Sequence, residues 1–112
     1  EVELITGAGT SWTVICSGLG EFEPVCLNRT IRVLPLASID DMAARLRPYR
    51  TMLQTAGVAG MGSRAEHLAH LLATVGVTRV APLDRMPWPP PDWHHDGRGP
   101  LQELVRWVDL EA

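Results

Sequence analysis

The sequence predicts an α/β fold, a segment of parallel sheet whose elements run β-β-α-β-α-β-loop-α. Three observations predict it. Short β-branched, apolar runs lie between Gly- and Pro-rich flanks, as strands do. They alternate with two amphipathic stretches of helical period, the pattern of β-α-β units. A long Pro-rich stretch, residues 82–99, then interrupts the alternation before a last helical pattern.

Residues 11–17 (S-W-T-V-I-C-S) make the first predicted strand and residues 30–36 (T-I-R-V-L-P-L) the second. Gly18 to Pro24 is a turn or loop. Pro35 lacks an N–H donor, so it belongs at a sheet edge or strand end. The first ten residues, with Gly7-Ala8-Gly9, read as a segment without its structural context. Ser38 opens a helix, with its hydroxyl as N-cap and Asp40 and Asp41 in the first turn. Ile39, Met42, Ala43 and Leu46 share one face of it, and Pro48 stops or kinks it.

Residues 51–59 (T-M-L-Q-T-A-G-V-A) form a weaker strand, interrupted by Gly57. Ser63-x-x-Glu66 has the form of a capping box. The helix it opens runs to about Val75, with Ala65, Leu68, Leu72 and Val75 inward and Gly76 as its C′ residue. Residues 77–81 are a short buried strand. Pro100 then opens a final helix over 100–110, with Leu101, Leu104, Val105 and Val108 as its stripe and Trp107 beside it.

With 112 residues the chain suits one domain or a C-terminal piece of a larger one. At 46% hydrophobic and 21% charged residues it has the composition of a folded protein. Net charge is −3 without a basic block, which argues against a nucleic-acid partner. No apolar run reaches the length of a membrane span, and the N-terminus lacks the pattern of a signal peptide. Cys16 and Cys26 alone are not a disulfide framework, so a reducing cytoplasm is the expected location. The chain starts at Glu1 rather than Met, as a processed chain or a fragment does.

The densest chemistry is Pro87-Trp88-Pro89-Pro90-Pro91-Asp92-Trp93-His94-His95-Asp96-Gly97. Prolines stiffen the approach, and Gly97 permits a tight turn after the titratable groups. His94 and His95 are neighbours, so in an extended loop they point different ways. One of them can face a cleft as proton donor or orienter. Alternatively, the H-H-D-G cluster ties the loop down through local hydrogen bonds. Both readings stand at this level.

His67, His70, His94, His95 and Asp96 are metal-ligand types, but no recognised ligand spacing links them, so no metal is expected. His67 and His70 fit the solvent side of their helix. Arg79 and Arg85 flank a strand end, where ligands of parallel sheets bind; each can meet a phosphate or a surface carboxylate. Neither cysteine has the surroundings of a nucleophile; Cys16 lies within an apolar strand, where a thiol is inert. No G-x-G-x-x-G follows a strand, since Gly57, Gly60 and Gly62 are misspaced for it.

Gly76 to Met86 (G-V-T-R-V-A-P-L-D-R-M), Pro89 to Gly97 (P-P-x-D-W-H-H-D-G) and Leu101 to Glu111 (L-x-x-L-V-R-W-V-D-L-E) together resemble the C-terminal part of one family. It is the acyl-CoA reductases, which include the fatty-acid reductase subunit of bacterial bioluminescence. S-W-T-V-I and N-R-T-I-R-V-L-P-L fit the same family, so the resemblance runs from about Ser11 onward. Its specific pieces are W-H-H-D-G and L-V-R-W-V-D.

The resemblance implies an aldehyde-dehydrogenase-like catalytic domain. It implies NADPH-dependent reduction of a fatty acyl group, delivered as acyl-CoA or another acyl thioester, to an aldehyde through an enzyme cysteine thioester. The Pro-rich loop would line the cleft, with His94 and His95 in catalytic roles and Arg85, Trp93 and Asp96 toward substrate. Trp88 and Trp93 would cover an acyl channel or pack on another domain. Phe22-Glu23-Pro24-Val25 occupies the place of the superfamily's F-G-P-V, with Glu23 for its glycine. The superfamily's cofactor-binding Glu precedes the Phe by two residues, where Gly20 stands. Its ribose-binding role therefore passes to Glu21, one residue out, with Phe22 beside the cofactor. In the family the nucleophile and the dinucleotide fold lie upstream of the matching region. The chain alone is therefore expected to be inactive, with an upstream reductase domain or an oligomer partner. The rival expectation is a non-catalytic module that self-associates or binds a reductase.

Overall fold

The computed structural model describes residues 2–9, 11–18, 20–25 and 28–111. It forms two compact units, Glu1–Pro48 and Tyr49–Ala112. Both are mixed α/β, and each contains one parallel strand pair.

In the first unit β1 (Val2–Thr6), β2 (Thr13–Ser17) and β3 (Thr30–Val33) form a sheet in that order. β2 and β3 are parallel, with Thr13 opposite Thr30 and Cys16 opposite Val33. About a dozen residues join them, near the minimum for a parallel connection. The sequence reading had no strand at β1, which pairs antiparallel with β2 from Val2–Ser17 to Thr6–Thr13. Its side chains are exposed along the whole strand, so no buried face marks it. The hairpin is closed by backbone, the Gly7 N–H donating to the Trp12 carbonyl at 3.0 Å. Helix α1 (Asp40–Leu46) follows and buries Ala43. The Ser38 hydroxyl accepts from the Asp40 N–H at 3.2 Å, although Ile39 occupies the cap position.

The second unit is built on β4 (Thr55–Val58), α2 (Ala65–Ala73) and β5 (Arg79–Pro82). β4 and β5 are parallel, with Thr55 opposite Arg79 and Val58 opposite Pro82. Leu68, Leu72 and Val75 are buried, as the helical period predicts, and Val77 and Ala81, from the segment predicted as a short buried strand, complete the core. The capping box does not form. Ser63 lies inside a 3-10 turn, Gly62–Arg64, and α2 starts from Arg64 with no side-chain cap. The C-terminus behaves as expected: the Val77 N–H donates to Leu72 O and the Gly76 N–H to Ala73 O, both at 3.2 Å. With Gly76 at φ +98° this is a Schellman closure.

Beyond β5 there is a 3-10 turn at Leu83–Arg85 and a single bridge between His95 and Arg98. The helix expected over 100–110 is absent. A 3-10 turn, Gln102–Leu104, ends in extended backbone at Val105. The apolar stripe is uncovered among the described residues: Leu104, Trp107 and Val108 are 78%, 90% and 91% exposed. A helix this short is marginal without packing. The single parallel sheet of the sequence reading is likewise two small sheets. No helix among the described residues is long and apolar enough to cross a membrane.

Candidate functional site: a tethered loop beside strand β5

Arg79, the first residue of β5, organises the loop that follows. Its Nη1 donates to Met86 O at 2.8 Å and its Nη2 to Arg85 O at 3.0 Å. Its guanidinium carbon also lies 5.4 Å from the centre of the Trp93 ring, within cation–π range. One half-buried side chain therefore grips both the start and the middle of the loop.

A second tether comes from the residue just before β4. Gln54 Nε2 donates to Asp96 Oδ1 at 2.6 Å, and Asp96 Oδ2 lies 3.1 Å from His95 Nδ1. The Gln54 carbonyl accepts from the Thr78 and Arg79 N–H groups at 3.0 and 3.1 Å, so its backbone belongs to the sheet entry. Trp93 and His95 meet edge to face, ring centres 4.9 Å apart. The chain reverses at His95-Asp96-Gly97-Arg98, the Arg98 N–H donating to His95 O at 3.0 Å. Asp96 and Gly97 both have positive φ, +52° and +78°, the type I′ pattern for which Asp-Gly is a preferred pair.

This arrangement divides the two histidines. His94 lines a cleft of about 650 Å³ together with Arg79, Arg85, Trp88 and Trp93, along the length of β5. His95 and Asp96 line a second cavity of about 530 Å³ with Arg98 and Gly99. Of the predicted residues, the structure therefore gathers His94, Arg85 and Trp93 in one cleft and His95 and Asp96 in another. Within the H-H-D-G cluster the Gly97 N–H donates to His94 O at 3.1 Å.

Glu21 and Phe22 belong to the first unit. Glu21 is exposed; Phe22 is half-buried and lines a cavity of about 280 Å³ with Arg32, Leu34, Met42 and Leu46. Arg32 is ion-paired with Glu23, and Arg45 Nη1 donates to Gly20 O at 3.1 Å. His67 and His70 are exposed on α2, with His70 Nε2 3.9 Å from Glu66 Oε1. Among the described residues no three His, Cys, Asp or Glu side chains converge as metal ligands. Cys16 is a half-buried free thiol, while Cys26 lies outside the described residues. Sequence reasoning missed Gln54, which has no local signature, and passed over the hairpin signal in Asp96-Gly97.

The family model for acyl-CoA reductase (LuxC) matches residues 1–107, and the chain belongs to that family. The match includes the first ten residues, where the sequence reading found no resemblance. Comparison with curated proteins gives no match.

Proposed function

We propose that the chain is the C-terminal part of the catalytic domain of a fatty acyl reductase with an aldehyde-dehydrogenase-like fold. Residues 82–99 are its cleft loop. The observation that supports this reading most is the loop: Arg79 binds the carbonyls of Arg85 and Met86 and meets Trp93, Gln54 binds Asp96, and His94, Arg85 and Trp93 share one cleft. Arg85 supplies positive charge for an anionic carrier such as coenzyme A. Trp88 and Trp93 supply apolar surface for an acyl chain. His94 orients the acyl carbonyl or moves a proton beside it from this cleft; His95 would do so only from the second cavity, which it lines with Asp96. No residue of this chain is proposed as the thioester-forming nucleophile, so the chain alone is inactive.

For NADPH the residues fit a minor role. The exposed Glu21 carboxylate can accept from a ribose hydroxyl; Phe22, its half-buried neighbour in the chain, would lie near the cofactor. The phosphate-cradling glycine fingerprint is not in this chain, so most of the grip belongs to another part of the enzyme. When bound, NADPH supplies the hydride that turns an acyl thioester into an aldehyde.

In a reductase containing this chain, His95→Ala should lower turnover about 100-fold, the usual scale for a proton-transfer group. Its melting temperature should stay close to the parent's. Normal turnover with a lowered melting temperature would reduce the histidine to a loop tether. One observation favours a second reading, an association module: Leu101, Leu104, Trp107, Val108 and Leu110 are all exposed. In that case sedimentation shows a dimer or larger species that Trp107→Ser dissociates. A monomer at all concentrations rules that reading out.

A further inference from the structure

We infer that the cavity between β3 and α1 is a binding site for a small amphipathic carboxylate, with the apolar tail inside and the head group at Arg45 and Arg32. The site lies wholly in the first unit and does not depend on the cleft role proposed above.

Two periodicities build the cavity. The alternation of β3 continues past its end: Thr30, Arg32, Leu34 and Leu36 are half-buried, while Ile31, Val33 and Pro35 are exposed. Arg32 therefore shares a face with Leu34. On α1, Met42 and Leu46 are one turn apart and lie on the same side. With Phe22 these side chains line a space of about 280 Å³. At roughly 30 Å³ for each water-sized group, it holds about nine heavy atoms, the size of a straight-chain carboxylate of about six to eight carbons.

The lining is apolar except for two guanidiniums, and among the described residues no carboxylate lines it. Arg45 Nη1 donates to Gly20 O at 3.1 Å, a neutral acceptor, so that bond leaves the positive charge in place. Arg32 is ion-paired with the exposed Glu23. Its Nε is nevertheless buried and has no acceptor among the described residues. Buried polar groups are normally bonded, so Arg32 keeps an unused donor. Glu23 offsets one of the two positive charges, which leaves one for a ligand to balance. A monoanion does so, and a carboxylate offers two oxygens to a guanidinium fork. The apolar lining selects a ligand with a hydrocarbon tail over a bare inorganic ion.

Methionine methyl groups read this site directly. Of the four methionines only Met42 belongs to the first unit, so Met52, Met61 and Met86 are internal controls. In ¹H–¹³C spectra of the methyl-labelled chain, hexanoate at constant ionic strength should shift the Met42 signal saturably. The midpoint should be roughly 1–10 mM, the affinity of a ligand of about eight heavy atoms. The other three signals should stay in place, and Met42→Leu identifies the one that moves. 1-Hexanol, with the same tail and no charge, should leave Met42 almost unshifted over the same range. Arg45→Gln should raise the hexanoate midpoint at least about 5-fold.

An unmoved Met42 signal, parallel shifts of all four methionines, or an equal response to hexanol overturns the inference. So does an Arg45→Gln chain that binds hexanoate as the parent does. If Arg45→Gln loses the Met42 signal before any ligand is added, the first unit has unfolded. The comparison of hexanoate with hexanol in the parent chain then decides alone.

Discussion

Replacing Arg79 by alanine should release residues 83–93 from β5 while leaving the β4–α2–β5 core folded. The guanidinium makes two charge-assisted bonds to main-chain carbonyls of the loop and stacks on Trp93. Bonds of this kind contribute roughly 1.5–3 kcal/mol each when one partner is charged, and the half-buried position places them at the low end. Allowing about 0.5–1 kcal/mol for the aromatic contact, the total is about 3–4 kcal/mol of loop anchoring. Hydrogen exchange should register it first at Trp88 and Trp93, whose N–H groups donate to Arg85 O and Pro90 O within the loop. The buried amides of α2 should keep their protection. Arg79→Lys restores the charge but not the two-pronged geometry, so it should recover less than half of the anchoring. Unchanged exchange at Trp88 and Trp93 in Arg79→Ala would falsify the claim that this side chain holds the loop.

Gly76→Ala should be the most destabilising small change in the second unit. An alanine at φ +98° sits in a region that L-residues avoid, at about 1–2 kcal/mol. Its Cβ would also lie 2.4 Å from the Arg50 carbonyl oxygen, a backbone atom with little freedom to withdraw. Either the Schellman closure opens or the segment at Arg50 shifts. A loss of at least about 2 kcal/mol follows, and a melting temperature roughly 10 °C lower for a domain this small. Gly60 is the control. It also has positive φ, +67°, but nothing lies within 4 Å of its would-be Cβ. Gly60→Ala should show only the conformational part. Equal losses at the two positions, read by circular dichroism on heating, would mean that the Arg50 contact is irrelevant.

These two residues also mark where the sequence was legible. Gly76 follows the last inward residue of a clear helical period, so its role could be read without coordinates. The same period placed Leu68, Leu72 and Val75 in the core, where they are. β1 could not be read because all five of its residues are exposed and, among the described residues, its strand partner is β2. The last helix was misread for the opposite reason. Its apolar spacing is correct for a helix, but spacing describes a face and not what covers it. Ser63 failed as a cap because a 3-10 turn took up the residues the box needs.

In the candidate site, the adjacency of His94 and His95 was enough to expect that they point different ways, and they line different cavities. The sequence could not identify Gln54, whose bond to Asp96 spans 42 residues. Side-chain amides carry no periodicity, and such a pairing exists only once the sheet has brought the two segments together. The acyl-CoA reductase resemblance found the family that matches residues 1–107.

That dependence sets an order of events. Both tethers of the loop originate at the sheet entry, Gln54 before β4 and Arg79 at the head of β5. Neither can engage until the two strands are in register. The cleft should therefore be the last part of this unit to assemble and the first to be lost. In mild denaturant the tryptophan emission of the loop should change while the far-ultraviolet signal of α2 persists. A reductase built this way would lose activity well before it loses its fold, and would regain it without refolding its core.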